Sequence, residues 1–132
     1  HLITAGWYLD AEATAPYVDF VSFHHWYDAA GLFERIQTLR AATDKPLLLE
    51  EVGYSTRRMQ EDDQARTLRE VTTVTEREGL LGWLIWTAFD FPTDRSCYPS
   101  PCLSPDNAEH YFGIWHTDYS AKPAVEVLGF AD

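Results

Sequence analysis

The sequence predicts an α/β fold on a parallel sheet, from three observations. Four short runs rich in apolar, aromatic and β-branched residues alternate with stretches of helical periodicity. The third run, Leu47 to Leu49, is continuously apolar, as in a strand covered on both faces. The spacing between runs is that of successive right-handed βα units.

Residues 1–6 (His-Leu-Ile-Thr-Ala-Gly) read as a short strand, followed by Asp10 as an N-cap and a turn of helix from Ala11 to Thr14. Residues 19–26 (Asp-Phe-Val-Ser-Phe-His-His-Trp) form a second strand. Leu32, Phe33, Ile36 and Leu39 recur at helical spacing, which predicts an amphipathic helix over 29–42. Pro46 opens a third strand over 47–52, where its missing N–H costs least. A second long helix spans 63–78, with Ala65, Leu68, Val71 and Val74 on one stripe, acidic residues at its start and Gly79 at its end. Residues 82–89 (Gly-Trp-Leu-Ile-Trp-Thr-Ala-Phe) are the fourth strand, and Pro123 stands in the first turn of a last helix.

Composition narrows the function. The 132 residues suit one domain and are 45% hydrophobic. A net charge of -11 argues against a nucleic-acid partner, which needs clustered Lys and Arg, and against an anionic membrane surface. Aromatic residues make up 14% of the chain, with five Trp, more than a small core needs. Neither a transmembrane run nor a signal-peptide pattern is visible. The chain opens at His1, inside a predicted strand, which reads as a cut end. Cys97 and Cys102 flank a proline-containing loop, a spacing that favours a disulfide over two free thiols and with it an extracellular, secreted setting.

The chemistry-bearing residues gather where the strands end: Thr4 and Trp7, His24 to Tyr27, Glu50 and Glu51, Trp86 and Asp90. In a (β/α) barrel those ends share one face. Closing a barrel takes eight strands and four are present, leaving a half barrel or an open doubly wound sheet. No Gly-x-Gly-x-x-Gly or phosphate loop follows any strand, so no nucleotide cofactor is implied. Metal catalysis finds little support, because His24 and His25 are adjacent on a strand and point opposite ways. The same alternation puts Glu50 and Glu51 on opposite faces. A mixture of Trp, Tyr, His and carboxylates suits a sugar, whose C–H faces stack on rings and whose hydroxyls need polar partners.

Taken in order, the four strand motifs and the closing Phe112-Gly113-Ile114, Asp118-Tyr119 and Lys122-Pro123-Ala124 resemble the C-terminal half of the clan A glycoside hydrolases. These retaining (β/α)8 barrel enzymes include family 5 cellulases and mannanases and family 2 galactosidases and mannosidases. The resemblance covers nearly the whole chain and implies a half TIM barrel holding strands five to eight. It implies that Glu51, before Val52 and Gly53 at the end of the seventh strand, is the nucleophile. It places the sixth-strand His-x-Tyr motif on His25 and Tyr27, with the Tyr donating to the nucleophile and the His helping to define the sugar site. Trp86 on the eighth strand matches the platform beneath the sugar, and Trp7, Trp26 and Asp90 would complete the substrate face.

One part of the pattern is missing. The clan's acid/base Glu follows an Asn, yet the one Asn here, Asn107, precedes Ala108. The resemblance therefore implies a fragment that is inactive alone and whose partners are a carbohydrate and the missing N-terminal half barrel. Two copies could instead associate through their exposed sheet edges. The competing reading is a noncatalytic carbohydrate-binding domain.

Overall fold

The computed structural model describes residues 1–94, 104 and 106–130. It divides into two compact units, His1–Val52 with Glu70–Ile85 and Gly53–Arg69 with Trp86–Asp132. Cys97 and Cys102 lie outside the described residues.

The first unit carries a four-stranded, wholly parallel sheet in the order β1 (Gly6–Trp7), β2 (Val21–His25), β3 (Leu47–Val52) and β4 (Trp83–Ile85). Sequence order and spatial order coincide, as in consecutive βα units of a barrel wall. Val21, Phe23, Leu47, Leu49 and Val52 are buried, and α1 (Ala29–Ala42) adds Leu32, Ile36 and Leu39 to the core. Asp28 caps α1, its Oδ1 accepting from the Gly31 N–H at 2.9 Å. Phe33, expected on the buried stripe, is instead partly exposed, with the Arg77 guanidinium 5.6 Å from its ring centre.

Strand β3 and helix α1 have the predicted bounds; both edge strands are shorter than expected. Residues 3 and 4 do reach the start of β2: the Asp19 N–H donates to the Ile3 carbonyl at 2.8 Å, and two side-chain bonds accompany it. Asp19 Oδ2 accepts from the Ile3 N–H at 2.7 Å, and Thr4 Oγ1 donates to the Phe20 carbonyl at 2.8 Å. The paired residues of β1 begin at Gly6. Asp10 is no side-chain cap: it adopts a left-handed φ of 55° ahead of a 3-10 helix, Ala11–Tyr17, that contains Pro16.

The largest correction falls on β3. Phe23 pairs with Leu49 and His24 with Glu51, so the register skips Glu50. This β-bulge breaks the alternation that would have sent Glu50 and Glu51 to opposite faces, because the extra residue resets the parity.

In the second unit, the N-terminal part of α2 (Glu61–Arg77) and α3 (Pro123–Val127) frame loops held by buried polar groups. Gln64 is fully buried and donates to the carbonyls of Tyr54 at 2.7 Å and Gly113 at 3.2 Å. Pro123 occupies the first turn of α3, and Gly79 follows α2 with φ 65°, both as the sequence predicts.

Candidate functional site

Three neighbouring strands of the first unit build one charged cluster. His24 lies between the two carboxylates that the bulge brings to its face: Nε2 is 3.9 Å from Glu50 Oε2 and Nδ1 is 3.7 Å from Glu51 Oε2. Space for Glu50 comes from β1. A Cβ on Gly6 would lie 1.8 Å from Glu50 Oε2 and 3.0 Å from His24 Nε2, so a side chain there would displace the carboxylate. Glu50 Oε2 is buried without a hydrogen-bond partner among the described residues, and such an atom calls for a donor.

His25, named by the motif for the sugar site, is placed elsewhere. It is buried, and its Nε2 donates to the Asp28 carbonyl at 2.8 Å, which fixes the neutral tautomer beside the cap of α1. Burial pushes its pKa below the ordinary imidazole value, the Asp28 carbonyl partly opposing that shift. The histidine facing the carboxylates is His24, which the motif did not single out.

Tyr27 stands exposed beyond β2, its hydroxyl 2.7 Å from that of Tyr8. That hydrogen bond raises the pKa of the Tyr8 phenol above the ordinary value. Trp7, at the end of β1, is half exposed, and Trp26 is partly buried after β2.

In the second unit, the glycine after the Glu-Glu-Val run has a steric reason. A Cβ on Gly53 would lie 1.9 Å from the Trp86 carbonyl oxygen, so only glycine lets that backbone approach. Trp86 is 37% exposed and meets Phe91 edge-on at 6.0 Å, which leaves part of its surface open to a ligand. Asp90, expected to bind substrate, is taken up internally. Its Oδ1 accepts from Lys122 Nζ and the Gly113 N–H, each at 2.9 Å, and its Oδ2 lies 3.6 Å from His116 Nδ1. Lys122 is itself fully buried and also donates to Thr56 Oγ1 at 3.1 Å, so Asp90 serves as counter-ion to an internal cation.

Among the described residues no cluster of three His, Cys, Asp or Glu is placed to hold a metal ion. None of their helices is long and apolar enough to cross a membrane.

No family model and no curated protein matches the sequence. Solved structures do. A family 17 β-1,3-glucanosyltransferase from Rhizomucor miehei superposes with a TM-score of 0.74 at 17% identity, over 96% of this chain and 50% of that one. A GH5_18 protein from Bifidobacterium longum subsp. infantis gives 0.71 at 20% identity, over 94% and 33%. A GH5_18 variant from Streptomyces cattleya, in complex with Manβ1-4GlcNAc, gives 0.71 at 18% identity, over 98% and 36%. The chain thus spans half or less of the length of the structures it matches. At these identities the likeness establishes the fold alone, a parallel four-stranded α/β half barrel.

Proposed function

We propose that this chain supplies the nucleophile half of a retaining O-glycosidase that acts on poly- or oligosaccharides. The observation that carries the reading is the cluster on β2 and β3, in which Glu51 stands at the C-terminal end of a parallel strand facing His24. Catalytic groups of βα barrels occupy such strand ends.

In a retaining enzyme one carboxylate attacks the anomeric carbon while the glycosidic bond breaks, giving a covalent glycosyl-enzyme. The second carboxyl group, about 5–5.5 Å away, protonates the leaving oxygen and later deprotonates the attacking water. Glu51 is the nucleophile. His24 stands beside the Glu51 carboxylate at 3.7 Å, with Glu50 3.9 Å from its other ring nitrogen, and the resemblance gives Tyr27 the hydrogen bond to the nucleophile. The resemblance gives Trp86 the stacking role and counts Trp7 and Trp26 among the substrate-binding residues. The acid/base carboxylate belongs to a further set of βα units, whose absence leaves the isolated chain inactive. The exposed side chains of Leu2, Ile3 and Leu9 near β1, and of Leu81 and Leu84 near β4, suit edges that pair with those units. A secreted setting fits a polysaccharide substrate.

Two measurements test this. Glu51→Gln in the full-length enzyme is expected to abolish turnover, and a 2-deoxy-2-fluoroglycoside with a dinitrophenyl leaving group to attach covalently to Glu51. The isolated chain is expected to show no turnover of an activated aryl glycoside; hydrolysis that Glu51→Gln removes would overturn the half-site reading.

A further inference from the structure

Four aromatic rings of the second unit form a continuous strip that the strand-end cluster does not use. Tyr119 meets Phe89 edge-on with centroids 5.4 Å apart, Phe89 meets Trp115 at 5.6 Å, and Trp115 meets Phe130 at 6.2 Å. Backbone bridges make the strip rigid: Trp115 pairs with Phe89 on one side and with Ala121 on the other. The rings are nevertheless open, with Phe89 41%, Phe130 49% and Tyr119 76% exposed.

Tyr119 is the most informative member. It holds a φ of 70°, a left-handed conformation rare for a bulky side chain. The turn that imposes it is pinned: Asp118 Oδ1 accepts from the Ser120 N–H at 2.9 Å and from its hydroxyl at 2.6 Å, and the Tyr119 N–H donates to the His116 carbonyl at 3.1 Å. The Ser120 bonds also hold the Asp118 carboxyl below the usual carboxylate range, so the residue before Tyr119 carries an ionised acceptor. An exposed phenol held in a pinned turn, with a carboxylate and a hydroxyl on the residues to either side of it in sequence, has the chemistry of a sugar platform. The net charge of -11 disfavours anionic ligands. Neighbouring rings are inclined at 74°, 34° and 43°, so the strip offers no flat plane to a crystalline surface.

We propose that the Tyr119, Phe89, Trp115 and Phe130 strip is a carbohydrate-binding surface for a single soluble, uncharged polysaccharide chain. The ligand class rests on the glycosidase reading, whereas the strip itself uses other residues. Affinity electrophoresis of the chain through gels containing laminarin, mixed-linkage β-glucan or glucomannan tests it. At least one polymer is expected to retard the chain, Tyr119→Ala and Phe89→Ala each to weaken retardation about tenfold, and Gln37→Ala, at an exposed position of α1, to leave it unchanged. Crystalline cellulose is expected to retain none of them. Because Tyr119 is mostly solvent-exposed, its variant keeps the fold, and circular dichroism confirms that. Equal retardation of wild type and Tyr119→Ala, or none at all, would overturn the proposal, as would a dimer that Tyr119→Ala abolishes. Failure of the glycosidase reading shows separately, as no fluoroglycoside adduct on Glu51 in the full-length enzyme.

Discussion

At the residue scale, the site depends on a glycine and on a histidine that the sequence motif passed over. Gly6 makes room for Glu50, and the atom it would strike is the far end of a flexible side chain, so Gly6→Ala costs little stability while moving the carboxylate away from His24. We expect a thermal midpoint within a few degrees of wild type. On the proposed glycosidase reading, Gly6→Ala should lower kcat/KM of the full-length protein about tenfold, the equivalent of about 1.4 kcal/mol, and Glu50→Gln should lower it by a similar amount. Activity unaffected by both changes would remove Glu50 from the site. His25 gives a second test, through pH. Its folded pKa lies below the ordinary imidazole value near 6.5, so protons bind the unfolded chain more tightly. Stability is then full above that value and declines as pH falls below it, until the folded protein itself takes up the proton. Melting curves from pH 8 to pH 5 should show this decline, and His25→Asn should flatten it. The Glu50-Glu51 pair stands out after three leucines, and the family resemblance alone selects Glu51 from it. His24 is not legible, because a period-two reading cannot see a bulge, and the bulge is what turns both carboxylates toward one imidazole.

At the element scale, the ends of β3 and β4 are tied by contacts that sequence spacing does not reveal. The Gly after Glu-Glu-Val reads as a family mark; in the structure it is the point where the Trp86 carbonyl approaches. A methyl group at Gly53 meets backbone, which cannot swing aside, so Gly53→Ala should cost about 1–3 kcal/mol and disturb Trp86. Denaturant unfolding measures the first effect, and tryptophan fluorescence the second. Asp90 shows the limit of reading polar residues at strand ends as ligands. Lys122, 32 residues later in the chain, claims it, and nothing local announces that pairing. Lys122→Met leaves a carboxylate buried without its cation and should cost about 3–5 kcal/mol, with Asp90→Asn in the same chain restoring much of the loss. Additive losses in that double variant would mean that the two groups are not coupled. Helix α1 and strand β3 are legible to the residue because the helical spacing of Leu32, Ile36 and Leu39 and the turn residue Pro46 mark them locally. The edge strands were overestimated because apolar content signals burial without showing whether a backbone partner is present.

At the scale of the whole molecule, the order of four βα units was legible because periodicity and turn residues repeat along the chain. What covers the outer edges of β1 and β4 was not, since pairing across an edge depends on groups outside those units. That gap has a measurable consequence. Each edge of the four-stranded parallel sheet has an outer side on which no further described strand lies, flanked by exposed Leu2, Ile3, Leu81 and Leu84, and such edges pair with whatever strand is available. In a solution of the chain alone the available strand belongs to another copy, and each copy carries a net charge of -11. Repulsion between copies is screened over a Debye length of about 30 Å at 0.01 M salt and about 3 Å at 1 M, so salt decides which effect wins. Sedimentation velocity should find a monomer at low ionic strength and a growing dimer fraction as sodium chloride approaches 1 M. Leu84→Lys should hold the chain monomeric throughout, because a charge on the open edge opposes pairing at short range. A chain that stays monomeric at every salt concentration would mean that its edges are already protected. The need for a second set of strands, and with it the half-barrel partner, would then fall away.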